Sequence, residues 1–397
     1  MDKNIKAQTL KGFRDFLPAQ QRKRQYAINK LKAVFESFGF EPLETPALEY
    51  EEVLLGKYGE EGDKLMYRFT DNGGRKVALR YDQTVPLSRV VAQYQNQLPI
   101  PFKRYQIQPV WRAENPQKGR FREFLQCDID TVGLSSSLAD AEIIQVVIKS
   151  LESLGFNKFK VLINDRNNFT EINPSAIVTI DKLKKIGKEA VLEELKKKGL
   201  PASSLNEILN KSLTEKLKQI TKIVNDCRVV FDSTLARGLD YYTGLIFEAE
   251  IEGYEAGSVC GGGRFDNLIG MFAGKQIPAV GFAFGFDRLI EAMDGQNLFP
   301  KDLTTTKVLV TVFSPDLFPT SLTTLTSLRQ ANINTESWLD PNTKLEKQLK
   351  YADQKGIPYV IIIGPEEAAK NVVTLKNLTN KTQEVLSIDE AISKLTS

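Results

Sequence analysis

The chain has no histidine among its 397 residues. Without an imidazole there is no Ser-His-Asp or Cys-His nucleophile, no His-ligated metal, and no side chain that titrates near neutrality unperturbed. Cysteine is scarce as well: Cys127, Cys227 and Cys260 lie far apart and form no C-x-x-C pair. That argues against a disulfide framework or a thiolate zinc site and fits a reducing compartment. No run approaches the ~20 apolar residues of a membrane span. The opening MDKNIKAQTLKGFRDF scatters its charges and shows no apolar signal-peptide stretch, so a cytoplasmic chain without a membrane partner is expected. Net charge is small, with 53 Lys+Arg against 50 Asp+Glu, and by itself announces no polyanionic partner. What is present is ordinary: 42% hydrophobic and 26% charged residues, a globular composition long enough for two or three domains.

Helical spacing of Tyr26, Ile28, Leu31, Val34, Phe35 and Phe38 predicts a helix over 21–38, stopped at Gly39. Strand-like runs follow at 76–81, 102–112 and 124–133, then an amphipathic helix over 140–156 and a strand over 158–164. The first part of the chain thus mixes helices with a sheet of the antiparallel kind. Residues 181–226 change character, with 11 Lys, 7 acids and no aromatic residue. They read as a helical insertion or as a solvated helical face. Strand signals return over 229–251, glycines crowd 257–263, and a strand passes into a helix over 278–293. From Lys307 strand and helix alternate to the end, the pattern of a separate α/β domain.

Four segments carry residues suited to chemistry. In WRAENPQKGRFREFLQCDID, from Trp111, the two-residue spacing of Arg112 with Glu114 and of Arg120 with Arg122 puts each pair on one strand face. Phe124 and Gln126 continue the phase after a loop with Pro116 and Gly119. Such a face suits a phosphate-bearing ligand with a planar ring, and equally a surface salt-bridge hairpin. RGLDYYTG (237–244) reads as strand, so that one tyrosine faces a pocket and its neighbour points the other way, with Arg237 as fixed charge. It reads equally as a structural tyrosine pair. The glycines 257–263 match neither a Walker loop nor a Rossmann fingerprint; they allow close approach of a ligand or simply a bend. GFAFGFDRL (281–289) leaves room above a sheet at Gly281 and Gly285 and places Arg288 within reach of a phosphate. Asp287 also fits a plain helix entry.

Together these segments resemble class II aminoacyl-tRNA synthetases, and within them the histidyl-tRNA synthetase family, over nearly the whole chain. KGFRDFLP (11–18) is similar to the family's opening signature. FGFEPLETPALEY, with Pro46, resembles motif 1, WRAENPQKGRFREF motif 2, and AVGFAFGFDRL motif 3. RGLDYYTG is similar to the family's histidine-binding signature, and LRYDQTVP (79–86) to a pattern of archaeal and eukaryotic-type members. Ala113, Leu125 and Asp287 depart from residues common in relatives.

The resemblance implies an α/β fold of the α+β type: a class II antiparallel sheet flanked by helices, formed by 1–165 and 227–300. It further implies a helical insertion at 166–226 and an anticodon-binding α/β domain at 307–397. ATP would meet Arg112, Glu114, Arg120, Phe124 and Arg288. Histidine would meet Asp82, Gln83, Thr84, Arg112, Gln126, Asp130, Arg237, Tyr241 and Tyr242. Arg112 and Arg237 would be catalytic. Mg²⁺ is implied as the companion of ATP, with no residue assigned to it, and the implied partners are L-histidine, histidine tRNA and a second copy of the chain. The competing expectation is a catalytically silent paralogue that regulates histidine biosynthesis or senses uncharged tRNA.

Overall fold

The computed structural model describes residues 6–116, 120–237, 241–301 and 303–396. Gly119 of the arginine-bearing loop, and Gly238, Leu239 and Asp240 of RGLDYYTG, lie outside the described residues. The chain divides into two compact units, the larger running to Phe299 and the smaller starting at Pro300, with residues 17–23 grouped with the latter.

The larger unit is built on an eight-stranded sheet. Its strands are β1 (Glu41–Pro42), β2 (Phe102–Trp111), β3 (Glu123–Val132), β4 (Phe159–Asp165), β5 (Val229–Phe231), β6 (Leu245–Ile251), β7 (Cys260–Arg264) and β8 (Ala279–Gly285). The spatial order is β1-β2-β3-β8-β7-β6-β4-β5. Every pairing from β2 through to β4 is antiparallel; only the outer pairs β1–β2 and β4–β5 are parallel. The sheet is of the antiparallel kind that the sequence predicts.

Alternation along each strand separates two faces. On β3, Cys127 and Ile129 point into a large apolar core. There they meet Leu31 and Phe35 of helix α1 (Pro18–Ser37), and Ile143, Ile144 and Val147 of helix α2 (Ser137–Ser153). α2 begins where the Ser136 side chain accepts a bond from the Ala139 amide, satisfying one of the orphan donors of a helix start. The helix Glu215–Val224 adds Leu217, Ile220 and Val224 to this core. The other face carries the buried polar residues Gln126, Asp128 and Asp130, and at its far end Val132 and Phe102 pack with Val85, Leu87 and Val91 of the helix Thr84–Gln93.

Residues from Pro174 to Leu209 form three helices. Their small core of Ile177, Val191, Leu195 and Leu205 is closed by Ala236, Tyr242 and Ile246, so the helices are packed directly against Tyr242. In the smaller unit a five-stranded sheet is built from Val308–Val310, Thr335–Ser337, Tyr359–Ile362, Val373–Asn377 and Thr382–Leu386. Its core joins Val308, Val310 and Ile361 to Leu328 and Leu395 of the flanking helices. No helix among the described residues is long and apolar enough to cross a membrane.

Candidate active site

This second face of the sheet is polar where both strands of one hairpin place polar side chains there in register. Arg104, Gln106 and Gln108 of β2 stand opposite Asp130, Asp128 and Gln126 of β3. Beyond β3, the facing positions on β8 are Gly281, Ala283 and Gly285, so the floor steps down and a hollow opens. The glycines are required by what lies on that floor. A Cβ at Gly281 would stand 1.9 Å from Asp130 Oδ1, and one at Gly261 on β7 would stand 2.2 Å from Arg237 Nη1. At Gly263 it would be 2.7 Å from the Tyr242 ring.

One part of the hollow is a cleft of about 290 Å³ rich in guanidinium groups. Arg112 enters just beyond β2, its Nε donating to Tyr81 O at 3.1 Å and its guanidinium 5.1 Å from the Phe124 ring. Glu114 and the exposed Arg120 pair at 3.7 Å on the same side. Arg237 lies over Gly261 with Nη1 bonded to Glu248 of β6. Burial works against its positive charge, and Tyr242 and Glu248 outweigh burial to hold the proton more tightly. Opposite, Arg288 donates to Ser258 O at 2.8 Å from the first turn of helix α3 (Phe286–Gly295).

The second part is deeper and carries carboxyl groups. Asp82 accepts from Tyr58 Oη at 2.8 Å and from the Val85 amide at 3.1 Å through Oδ1. Asp130 pairs with the fully buried Arg104 at 2.6 Å. Asp128 accepts from Gln126 Nε2 at 3.2 Å, and Gln83 donates to Gln108 O at 2.7 Å. Tyr241 and Tyr242 close this end with ring centroids 4.9 Å apart. Thr84 meets Tyr241 there through a side-chain bond. Three buried acceptors, Asp82 Oδ2, Gln83 Oε1 and Gln126 Oε1, have no hydrogen-bond partner among the described residues. Leaving such groups unpaired costs about 1–3 kcal/mol each, so the arrangement is suited to a cationic ligand that donates hydrogen bonds.

Burial is the main cause that raises all three carboxyls: Asp130 to about 6, Asp82 above its ordinary value, and Asp128 well above it. Arg104 opposes the shift at each. A folded pKa above the unfolded value means that the native state binds protons more tightly. For Asp130 the stabilising contribution is therefore full below about pH 4 and is lost as pH rises through about 6. We expect denaturant midpoints of the free chain to fall over that window and Asp130→Asn to flatten the fall. An unchanged pH profile in the variant would show that this carboxyl does not carry the effect.

The expected site residues fall into these two parts: Arg112, Glu114, Arg120, Phe124, Gln126, Arg237 and Arg288 line the cleft, while Asp82, Gln83, Thr84, Asp130, Tyr241 and Tyr242 form the deeper end. Two details differ from the sequence reading. Arg122 turns away from the cleft and bonds Glu114 O and Lys11 O. The tyrosines do not sit in a strand facing opposite ways; β5 ends at Phe231 and β6 starts at Leu245, and the two rings pack against each other. Missed altogether were Arg104, Asp128, Tyr58 and Glu248. The polar alternation Arg104-Gln106-Gln108 was the available signal for a polar sheet face.

An antiparallel sheet thus carries an arginine-lined cleft beside a buried group of carboxyls. A family profile described as histidyl-tRNA synthetase matches residues 12–201 and 165–289, and one described as anticodon binding domain matches 307–397. The chain is 42% identical to a histidine–tRNA ligase of Cytophaga hutchinsonii, covering 97% of this chain and 98% of that one. It is 39% identical to one of Aeropyrum pernix, covering 96% of each. The histidyl-tRNA synthetase structure from Nostoc sp. PCC 7120 superposes with a TM-score of 0.86 at 32% identity, covering 99% of both chains. The chain belongs to the histidyl-tRNA synthetase family.

Proposed function

We propose that the chain ligates L-histidine to its cognate tRNA, using ATP and passing through histidyl-adenylate. The observation that carries this reading is the junction of the two parts of the hollow: Arg112, Gln126 and Arg237 stand between an arginine cleft and a pocket of unpaired acceptors. The α-ammonium of histidine is assigned to Asp82 and Gln126, with Gln83, Thr84 and Asp130 beside it, and the imidazole to the end closed by Tyr241 and Tyr242. ATP is assigned to the cleft, with Phe124 beneath the adenine, Glu114 at its edge, and Arg120 and Arg288 at the outer phosphates. Mg²⁺ enters with the triphosphate as part of the substrate.

The carboxylate of histidine then attacks the α-phosphorus in line and pyrophosphate leaves. Charge that grows on the phosphorus oxygens meets Arg112 and Arg237, which are already fixed by Tyr81 O and by Glu248. Such a transfer is governed by positioning and charge stabilisation, not by a protein base. A terminal ribose hydroxyl of the tRNA then attacks the adenylate carbonyl, the ester forms as the acyl–phosphate bond breaks, and AMP leaves with the hydroxyl proton passing to its phosphate or to water, a step that needs no protein nucleophile. Absence of histidine from the chain is therefore no obstacle.

The smaller unit, matched by the anticodon-binding profile, is assigned to the far end of the tRNA, and the helices between Pro174 and Leu209 to its acceptor arm. Exposed Leu48, Tyr50 and Phe69 lie near Pro46 on a small three-stranded sheet and support a homodimer. The cytoplasm is the compartment where these substrates meet. A silent regulatory role is not favoured, because the cleft arginines and the C-terminal unit are both present.

Histidine-dependent pyrophosphate–ATP exchange is the direct test. We expect exchange with histidine alone among the amino acids; no exchange by the intact chain overturns the reading. Removal of 307–397 is expected to lower tRNA charging far more than exchange, measured side by side.

A further inference from the structure

Residues 11–16, the start of the opening signature, have no place in that chemistry, yet they are joined to both walls of the cleft. We propose that this segment is a strap that positions the nucleotide-binding loop, with Arg14 as its positioning residue. The proposal rests on the reading of the cleft as the ATP site.

Phe121 and Asp287 both line the cleft, from opposite sides. The Arg14 guanidinium lies 3.2 Å from the Phe121 ring centroid, and its Nη2 is 3.0 Å from Asp287 Oδ2. One side chain thus joins Phe121, just ahead of β3, to the helix start that carries Arg288. Backbone bonds fix the strap along the same arm: the Arg122 amide donates to Gly12 O at 2.9 Å and Arg122 Nη1 to Lys11 O at 3.4 Å. Gly12 permits this approach, since its φ is +90° and a Cβ would stand 2.8 Å from Arg122 Cγ and 2.9 Å from Pro116 Cγ.

A structural partner for Asp287 exists independently of Arg14. Arg24 pairs with Oδ1, is nearly buried, and lies 3.9 Å over the Phe16 ring. Arg14 is more exposed, so it can be altered while Arg24 keeps the helix start anchored. Lysine at position 14 would keep the charge for Asp287 but has no plane to lay on Phe121. None of these contacts reaches Asp82, Asp130 or the tyrosines, so the strap acts on the nucleotide and not on the amino acid.

The test is pyrophosphate–ATP exchange by the full chain, by Arg14→Lys, by Phe121→Leu and by the double variant, with ATP and histidine varied separately and thermal midpoints recorded. Arg14→Lys is expected to raise the KM for ATP about five-fold, the scale of a partly desolvated cation–π contact. The KM for histidine and the midpoint should stay at parental values. In the Phe121→Leu background the same change should add nothing. A parental KM for ATP in Arg14→Lys, equal rises for both substrates with a lowered midpoint, or full additivity with Phe121→Leu each overturns the strap. A parent without histidine-dependent exchange instead overturns the ligase reading, and the strap with it.

Discussion

Arg237→Ala is expected to lower kcat for histidine-dependent pyrophosphate exchange about a thousand-fold, the scale seen when a preorganised charge aimed at a transition state is removed. The geometry makes Arg237 hard to replace. Its guanidinium is bonded to Glu248, lies 5.9 Å from the Tyr242 ring, and rests on a floor that only Gly261 leaves low enough. A group fixed before the reaction begins stabilises growing charge without reorganising. Its removal should therefore depress kcat more than it raises the KM for either substrate. Arg237→Lys should recover little, because a flexible ammonium cannot span Glu248 and a phosphoryl oxygen in one planar fork. A kcat within ten-fold of the parent would remove Arg237 from the assigned role.

The second large effect is on stability. Gly262→Ala should destabilise the larger unit by about 3 kcal/mol, the upper range for overpacking a filled core. Gly262 occupies the middle of β7, and its added Cβ would lie 2.3 Å from Gly281 O, 2.5 Å from Phe282 Cβ and 2.7 Å from Phe247 Cζ. The first of these is backbone of the neighbouring strand, which cannot retreat without opening the β7–β8 ladder. A lowered denaturant midpoint at constant slope is the expected readout. Gly295→Ala serves as the control, since nothing lies within 4 Å of the Cβ it adds at the end of α3. If both variants unfold at the parental midpoint, the crowding at Gly262 is not energetically real.

Much of this was legible in the sequence where the signal is local. Helical spacing of Leu31, Val34 and Phe35 and the run Ile143–Ile144 with Val147 mark the helices that cover the core. Arg112, Arg120, Phe124 and Gln126 lie within one stretch of chain and all line the cleft, so their spacing was enough to bring them together, whereas Arg237 and Arg288 come from distant segments. The partnership of Arg104 with Asp130 is different, because it follows from strand register and from burial that no spacing reveals. Arg14 and Asp287 are far apart in the chain, and only the folded sheet brings them into contact. The tyrosines misled for a physical reason: flanking alternation suits a strand, but Tyr242 is drawn into the core of the inserted helices beside Ile246. Glycines 261, 262 and 263 read from the sequence as close approach to a ligand or as a bend; they form a central strand whose small residues serve opposite faces in turn.

The three raised carboxyls have a further consequence for the thermodynamics of binding. Burial raises the proton affinity of Asp82, Asp128 and Asp130, and a cation brought beside them would favour their ionised forms and release protons. With histidine placed there as proposed, its uptake would release protons, and the calorimetric heat would include the ionisation heat of whatever buffer receives them. The chain has no imidazole of its own, so no histidine side chain of the protein adds to those protons. Heats collected in buffers of different ionisation enthalpy would count them directly.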